Sequence, residues 1–178
     1  MNTFIAFLRG INVGGKNRMP MSVLRLALEN AGFKNVRTYI QSGNIVFESE
    51  MRSTDLISET IGKTIENTFG FSVPVLVMTK KQTALILSQS PYNREVHISM
   101  NETYFVLLFE PPAQELLKVF NGLSFANEEF KTTENCVHLL CLNGYGKARL
   151  NNTLVESKLQ VTATARNYRT MQKVLALL

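Results

Sequence analysis

The sequence has few of the residues that build metal centres and disulfide frameworks. Its 178 residues include two cysteines, two histidines and no tryptophan. Cys136 and Cys141 lie five residues apart in a strand-like run, so they should point to opposite faces of a sheet and can neither form a disulfide nor share a metal. His97 and His138 are isolated and complete no cluster with metal-ligand spacing. We therefore predict free, buried thiols, no metal and no cofactor.

Long apolar runs are also absent. Runs such as Tyr104–Phe109 and Cys136–Leu142 are far shorter than the roughly 20 residues of a membrane-spanning helix. The first fifteen residues contain an apolar patch but lack the basic start and the small-residue cleavage site of a signal peptide. Hydrophobic residues make up 45% of the chain and charged residues 19%, as in ordinary globular proteins. We therefore expect a cytoplasmic protein with no membrane partner.

Basic charge is concentrated at both ends of the chain. Residues 1–49 carry six Lys and Arg against two acidic residues, and residues 144–178 carry six against one. Residues 50–143 carry seven against eleven. If the two ends meet in the fold, they form a basic cleft that attracts an anion. The alternative is that each end is an ordinary solvated surface.

The predicted elements occur twice in the same order. The first half reads as a strand at 3–9, a helix after Pro20, a hairpin at 36–49 turning at Ser42-Gly43, a helix ending at Gly70, a strand at 73–79 and a short helix before Pro91. The second half reads as a strand at 103–109, a helix at 112–121, strands at 124–130 and 136–142, a helix near 149–158, a strand at 161–164 and a helix from 167.

This order is that of the ferredoxin-like fold. We predict an α+β protein of two tandem ferredoxin-like (βαββαβ) subdomains, each followed by an extra helix. Their expected bounds are residues 1–90 and 103–178, with a linker at 91–102.

The stretch FLRGINVGGKN (residues 7–17) resembles a nucleotide-binding P-loop but lacks essential parts of one. A P-loop has Ser or Thr after its Lys to bind magnesium, whereas Asn17 follows Lys16 here. The helix of a P-loop begins at that Lys, whereas Pro20 delays the helix in this chain. Asp55 is the single aspartate, and it does not end a strand where it could hold magnesium. The sequence does not predict an NTPase.

The glycines of this stretch have a simpler interpretation. Gly14 and Gly15 fit a loop that needs positive φ angles. The neighbouring cations Arg9, Lys16 and Arg18, together with loop N–H groups, could still form a weaker anion site.

Two further functional classes find little support. An RNA-binding sheet of the RRM type needs exposed aromatic residues on its central strands, and core packing explains Phe4, Phe7 and Phe47 better. For acid–base or covalent chemistry, there is no Gly-x-Ser-x-Gly elbow and no Cys beside a His. The adjacent carboxylates of Glu128 and Glu129 should face apart on a strand.

Two stretches resemble the bacterial domain-of-unknown-function family 1697. Residues 7–47, FLRGINVGGKNRMPMSVLRLALENAGFKNVRTYIQSGNIVF, are similar to the family's Leu-Arg-Gly-Ile-Asn-Val-Gly-Gly, Lys, Pro-Met, Gly-Phe and Tyr-Ile-Gln-Ser-Gly-Asn. Residues 156–170, ESKLQVTATARNYRT, are similar to the family's Lys-Leu-Gly-Val-x-x-Thr-Thr-Arg-Asn-Trp. The resemblance implies a tandem pair of α+β subdomains. It implies no activity, because none is established for the family.

The chain departs from the family pattern at two positions. In GKARL (146–150), Ala148 stands where the family has Ser, so a hydroxyl nucleophile is not available there. Tyr168 replaces the Trp of Arg-Asn-Trp and keeps an aromatic ring. The family motifs coincide with the two basic ends of the chain, which favours one shared site.

We predict that this site binds a phosphate-bearing ligand, either a nucleotide or a stretch of nucleic acid. Arg166 would clamp phosphate oxygens, Lys16 would act as a point charge, and loop N–H groups would complete the cradle. The candidate ligand-binding residues are Arg9, Asn12, Gly14, Gly15, Lys16, Arg18, Gln41, Ser42, Asn44, Lys147, Arg149, Arg166 and Asn167.

Two alternatives stay open. The protein could be a structural or partner-binding domain without a ligand, in which Gly14, Gly15 and Gly43 only permit turns and Arg9 and Arg166 join the two halves. It could also be an enzyme that acts on a small phosphorylated or carboxylated substrate, although the sequence identifies no acid or base for it.

Overall fold

The computed structural model describes residues 1–177, which form two compact units. Unit 1 contains Met1–Ala84 and the chain from Lys173 onward, and unit 2 contains Leu85–Gln172. The elements of the first half are β1 (Asn2–Leu8), α1 (Met21–Asn30), β2 (Lys34–Tyr39), β3 (Asn44–Ser49), α2 (Thr54–Phe69), β4 (Val75–Thr79) and α3 (Lys80–Gln89).

The second half repeats the same order after one additional short helix. Its elements are α4 (Glu95–Ser99), β5 (Thr103–Leu108), α5 (Gln114–Asn121), β6 (Glu128–Thr132), β7 (Cys136–Cys141), a 3₁₀ turn (Tyr145–Lys147), α6 (Asn152–Leu159), β8 (Ala163–Asn167) and α7 (Tyr168–Ala176). The segment 91–102, where the sequence predicts a linker, contains α4. Within residues 1–177, no helix is long and apolar enough to span a bilayer.

Each half forms a four-stranded antiparallel sheet with the ferredoxin-like strand order. The order is β2-β3-β1-β4 in the first sheet and β6-β7-β5-β8 in the second. In the first sheet, Phe4 of the central strand β1 lies opposite Phe47 of β3. In the second, Phe105 of the central strand β5 lies opposite His138 of β7 and Arg166 of β8. The predicted fold class, two tandem ferredoxin-like halves, is confirmed.

The helix α2 shows how local sequence determines these elements. Its first turn is capped by Ser53, whose Oγ accepts a hydrogen bond from the Leu56 N–H at 3.3 Å. It ends at Gly70, which has the left-handed φ of 77° that favours glycine. Side chains three and four residues apart form a stripe that packs into the core of unit 1: Ile57, Ile61 and Ile65.

The strand β6 begins later than the sequence predicts. It starts at Glu128 rather than at residue 124, because Phe125 turns back and forms an isolated bridge with Glu128. This bridge covers one end of an edge strand, and Glu129 and Lys131 place charge on the rest of it. Both features protect an exposed sheet edge against pairing with other chains.

Both faces of each sheet are buried. One face of the first sheet packs against its helices and forms the core of unit 1. On the other face, Ile5 and Phe7 are fully buried and Val46 is 3% exposed. The corresponding face of the second sheet contains Phe105 and Leu107, both fully buried. Base stacking of the RRM type needs exposed rings, so neither sheet offers such a surface.

Gly43 lies in the turn between β2 and β3, where that turn approaches β1 closely. Its φ is 75°, and its carbonyl accepts a hydrogen bond from the Leu8 N–H at 2.8 Å. A Cβ at this position would lie 2.6 Å from Leu8 Cβ and 2.9 Å from Ile11 Cδ1. Both separations are too short for non-bonded carbon atoms, so glycine is required here for space as well as for conformation.

His138 is a fully buried histidine in the second sheet. Its Nε2 lies 3.4 Å from Thr133 Oγ, its ring packs edge-on against Phe105, and its Nδ1 has no hydrogen-bond partner among residues 1–177. Burial, followed by the nearby Lys131 charge, lowers the pKa of His138 to about 4. The folded protein therefore holds this side chain in its neutral form.

We expect Gly43→Ala to lower the free energy of unfolding by about 3 kcal/mol, combining the cost of a left-handed non-glycine residue with that of overpacking. For a chain of this size, the midpoint of thermal unfolding should fall by about 6–12 °C. The matched control is Gly70→Ala, because Gly70 has nearly the same φ of 77° but open space at its Cβ position. Equal destabilisation by both substitutions would contradict the packing argument.

Because the pKa of His138 is about 4 in the folded state and near 6.5 in an unfolded chain, only the unfolded chain takes up a proton between these values. Stability should therefore fall as the pH drops below about 6.5 and level off near pH 4, with a loss on the order of 3 kcal/mol. Urea unfolding across this range should show a smaller loss in His138→Leu. The same loss in both proteins would show that other groups cause the acid sensitivity.

Candidate functional site

The glycine-rich stretch of unit 1 forms a tight hairpin. Val13 and Lys16 form an antiparallel bridge, in which the Lys16 N–H donates to the Val13 carbonyl at 3.1 Å. Between them, Gly14 and Gly15 have φ angles of 58° and 75°. Two consecutive positive φ angles are characteristic of the two-residue hairpin turns that favour Gly-Gly. We call residues 10–19 the hairpin loop.

The hairpin loop differs from a P-loop in the position of the following helix. The helix α1 begins at Met21, after an extended Pro20 that provides no side-chain cap. Lys16 therefore lies five residues before the helix rather than at its N-terminus. In addition, the N–H groups of Asn12 and Met19 are bonded within the loop, to the Asn17 carbonyl at 3.2 Å and to Asn12 Oδ1 at 2.8 Å. They are not available to a phosphate.

Two asparagines hold the hairpin loop in shape. The Asn12 side chain donates to the Met19 carbonyl at 3.0 Å and to the Gln41 carbonyl at 2.8 Å, and it accepts from the Met19 N–H. Asn17 donates to the Gly10 carbonyl at 2.9 Å. Both asparagines have positive φ angles, which asparagine tolerates better than most residues do. Asn12, a predicted ligand-binding residue, is therefore engaged in joining the loop to the β2–β3 turn.

The β2–β3 turn uses its polar side chains in the same way. Asn44 is buried, and its Nδ2 donates to the Tyr39 carbonyl at 2.9 Å and to Ser42 Oγ at 3.0 Å. Gln41 is exposed and contributes its carbonyl to Asn12. Asn44 and Ser42 thus stabilise the turn, whereas Gln41 is exposed.

The cations near the hairpin loop are more accessible. Lys16 and Arg18 are exposed, and neither forms an ion pair with a carboxylate of residues 1–177. Gly14 and Gly15 are exposed beside them, with no heavy atom within 4 Å of where a Cβ would stand. Arg9 is half-buried, and its backbone N–H donates to the Pro74 carbonyl. The accessible positive charge of the hairpin loop comes from Lys16 and Arg18.

Unit 2 carries a second basic loop, residues 144–151. Lys147 and Arg149 are exposed on either side of the buried Ala148 and form no ion pair with described residues. The carboxylate of Glu128 accepts the N–H groups of Arg149 at 2.8 Å and Leu150 at 2.7 Å. The Glu128 carboxylate therefore fastens this loop to β6. We call residues 144–151 the second basic loop.

Arg166 and Asn167 are integrated into the fold of unit 2. Arg166 is 7% exposed, and its Nη1 donates to Thr164 Oγ1 at 2.8 Å and to the Ala165 carbonyl at 2.7 Å. Burial lowers the pKa of the Arg166 guanidinium to about 10, which leaves it charged at neutral pH. Asn167 accepts the Thr170 N–H at 2.8 Å and so caps α7.

The structure also reveals a polar pair that the sequence analysis missed. His97 was expected to be isolated, but its Nδ1 lies 2.9 Å from Glu102 Oε2. The pair connects the end of α4 to the start of β5, and both side chains are less than 20% exposed. The turn between the two elements brings the side chains together. The sequence offered one signal for this pair, namely that Glu102 lies five residues after one of only two histidines.

The cysteines are free and buried, as predicted. Burial raises the pKa of Cys136 and, together with the Glu128 charge, raises that of Cys141 to about 12. Both thiols therefore stay protonated and unreactive at neutral pH. Among residues 1–177, no three His, Cys, Asp or Glu side chains are grouped so as to hold a metal ion.

Comparison with known proteins agrees with this architecture. The conserved bacterial protein SP0830 from Streptococcus pneumoniae has a similar structure, with a TM-score of 0.77 and 23% sequence identity over 98% of this chain and 97% of that one. At this identity the likeness demonstrates a shared fold only. No curated protein matches the chain. Residues 1–138 match the model of the protein family of unknown function DUF1697, and the chain therefore belongs to that family.

Proposed function

We propose that this protein binds a phosphate-bearing ligand, a nucleotide or nucleic acid, through the exposed cations of the hairpin loop and the second basic loop. The observation that carries the proposal is that Lys16, Arg18, Lys147 and Arg149 are exposed without carboxylate partners among residues 1–177. Unpaired cations at the surface attract phosphates, and Arg offers the planar donor geometry that phosphate oxygens favour.

The loops that carry these cations are fixed by internal hydrogen bonds. Asn12 and Asn17 hold the hairpin loop, and the Glu128 carboxylate holds the second basic loop. A cation on a fixed backbone loses less conformational freedom when it binds than one on a mobile segment does. The family motif therefore divides into positioning residues, such as Asn12, and residues that contact the ligand, such as Lys16.

A structural role without any ligand is the second candidate, and the same hydrogen bonds favour it. Asn12, Asn44 and Asn167 all bond to groups of the protein itself, and Gly43 is required by packing. These interactions account for the glycines and asparagines of the motif, but they do not account for the exposed Lys16 and Arg18. The two candidates therefore differ in what the cations do.

The test is binding of ATP, GTP, inorganic phosphate and a short single-stranded RNA, measured by thermal unfolding and by titration. A nucleotide at about a hundred times its dissociation constant should stabilise the protein by about 2.7 kcal/mol, or about 5–10 °C. Lys16→Ala/Arg18→Ala and Lys147→Ala/Arg149→Ala should each reduce this shift. If RNA is the ligand, each double variant should reduce the dependence of log affinity on log salt by about 1.4.

The matched control is Arg25→Ala/Lys34→Ala, which removes two exposed cations of unit 1 that lie outside the loops. It should bind like the parent protein. If no ligand stabilises the parent protein, or if the control variant loses as much affinity as the loop variants, then specific binding by the two loops is excluded.

A further inference from the structure

Unit 2 has a groove whose lining includes no residue of the second basic loop. Its volume is about 760 Å³, within the usual range of small-molecule sites. We call it the His97 groove. Its lining includes Tyr92, Arg94, His97, Glu129, Lys131 and Leu142.

His97 is held in a defined orientation at this groove. Its Nδ1 is paired with Glu102 Oε2 at 2.9 Å, and the Glu102 backbone is fixed by bonds to the His97 carbonyl at 2.9 Å and from the Cys141 N–H at 2.8 Å. The other ring nitrogen, Nε2, has no hydrogen-bond partner among residues 1–177. A carboxylate that orients one ring nitrogen and leaves the other open is the arrangement in which histidine exchanges protons with a ligand.

The wall that carries His97 is also anchored. The Tyr92 carbonyl accepts from the Oγ1 of the buried Thr103 at 2.7 Å, and the Arg169 guanidinium donates to the Ser99 carbonyl at 2.8 Å at the end of α4. Such bonds keep a site in one geometry before a ligand arrives. Burial, and next the Glu129 charge, raise the pKa of the Tyr92 phenol, so that its hydroxyl stays protonated and can donate.

The charges that face the groove indicate what it can hold. Arg94 and Lys131 are exposed, and neither pairs with a carboxylate among residues 1–177. With His97 protonated, these cations outweigh the carboxylates of Glu102 and Glu129 by a single charge. An excess of one positive charge suits a monoanion better than a phosphate dianion.

The remaining surface of the groove is apolar. The exposed side chains of Pro91 and of Leu142, just after β7, contribute to it. Leu142 is 46% exposed and so offers apolar surface to a ligand in the groove. A ligand that fits both surfaces has an anionic group and an apolar body.

We infer that the His97 groove is a second ligand site, which binds an organic monocarboxylate with an apolar body and takes up a proton at His97 Nε2. Arg94 and Lys131 pair with the carboxylate, protonated His97 donates to it, and Pro91 and Leu142 contact the apolar portion. The inference is independent of phosphate binding by the two basic loops, since the two proposals share no residue that contacts a ligand.

Proton uptake makes the site measurable, because the chain has only two histidines. The Hε1 resonances of His97 and His138 can be followed by NMR as the pH is varied, with and without 3-phenylpropionate as the probe. The midpoint of the His97 titration should move up by about one pH unit at saturation, which corresponds to tenfold tighter binding to the protonated form. The His138 resonance is told apart by its midpoint near pH 4, and it is not used as a reference because the Lys131 charge also acts on His138.

Three comparisons test the chemistry of the ligand and the roles of the side chains. The neutral isostere 3-phenyl-1-propanol and inorganic phosphate should leave the His97 midpoint nearly unchanged at matched ionic strength. Arg94→Ala and Lys131→Ala should each weaken binding of 3-phenylpropionate about tenfold, as expected for loss of a charge-assisted hydrogen bond. Lys118→Ala removes an exposed cation of α5 outside the groove and should bind like the parent protein.

Glu102 is a positioning residue, and Glu102→Gln should reduce the upward shift of the His97 midpoint that the probe causes. The inference is overturned if 3-phenylpropionate moves the midpoint no more than the alcohol or phosphate does, or if Arg94→Ala and Lys131→Ala bind it like the parent protein. Nucleotide binding that persists in these two variants bears only on the basic loops, so the two proposals can fail separately.

Discussion

The close approach of Gly43 to the end of β1 is the constraint on which the organisation of unit 1 depends. The Leu8 N–H bonds to the Gly43 carbonyl at 2.8 Å, and a Cβ on Gly43 would lie 2.6 Å from Leu8 Cβ. This contact brings the β2–β3 turn beside the chain that leaves β1. Asn12 can then reach the Gln41 carbonyl, and the hairpin loop is held against the turn. For this reason the hairpin loop and the β2–β3 turn, which are separated by the helix α1 and the strand β2 in sequence, form one structural cluster.

Unit 2 fixes its own loops with polar side chains that satisfy backbone groups. Glu128 accepts two N–H groups of the second basic loop, and Asn167 caps α7 while it donates to Asn101 at 2.9 Å. Loops carry many backbone donors that no strand or helix satisfies, and a buried or half-buried donor is costly to leave unpaired. The asparagine and the glutamate therefore stabilise the loops, while Lys147 and Arg149 remain exposed.

The fold could be predicted well from the sequence, whereas the residue roles could not. The end of α2 at Gly70 appears in the structure as the sequence predicts, because a glycine after a helical run is a local signal. The start of β6 was predicted four residues too early, because the Phe125–Glu128 bridge is a turn contact with no periodic pattern. Arg166 has the residue type of a phosphate clamp, but its position in β8 buries it. A residue type indicates what a side chain can do, and burial decides whether a ligand can reach it.

By itself, the sequence determined the order of strands and helices, the free state of the thiols and the membership of a family, because each of these follows from spacing or from a run of neighbouring residues. Only the tertiary structure decided that Asn12 bonds to Gln41, that Glu128 holds Arg149 and Leu150, and that His97 faces Glu102 beside a groove. Contacts across a turn, or between a strand and a distant loop, depend on distances set by packing of the whole unit. No periodicity of the chain encodes these distances, so residues that looked alike in the motif differ in what they contact.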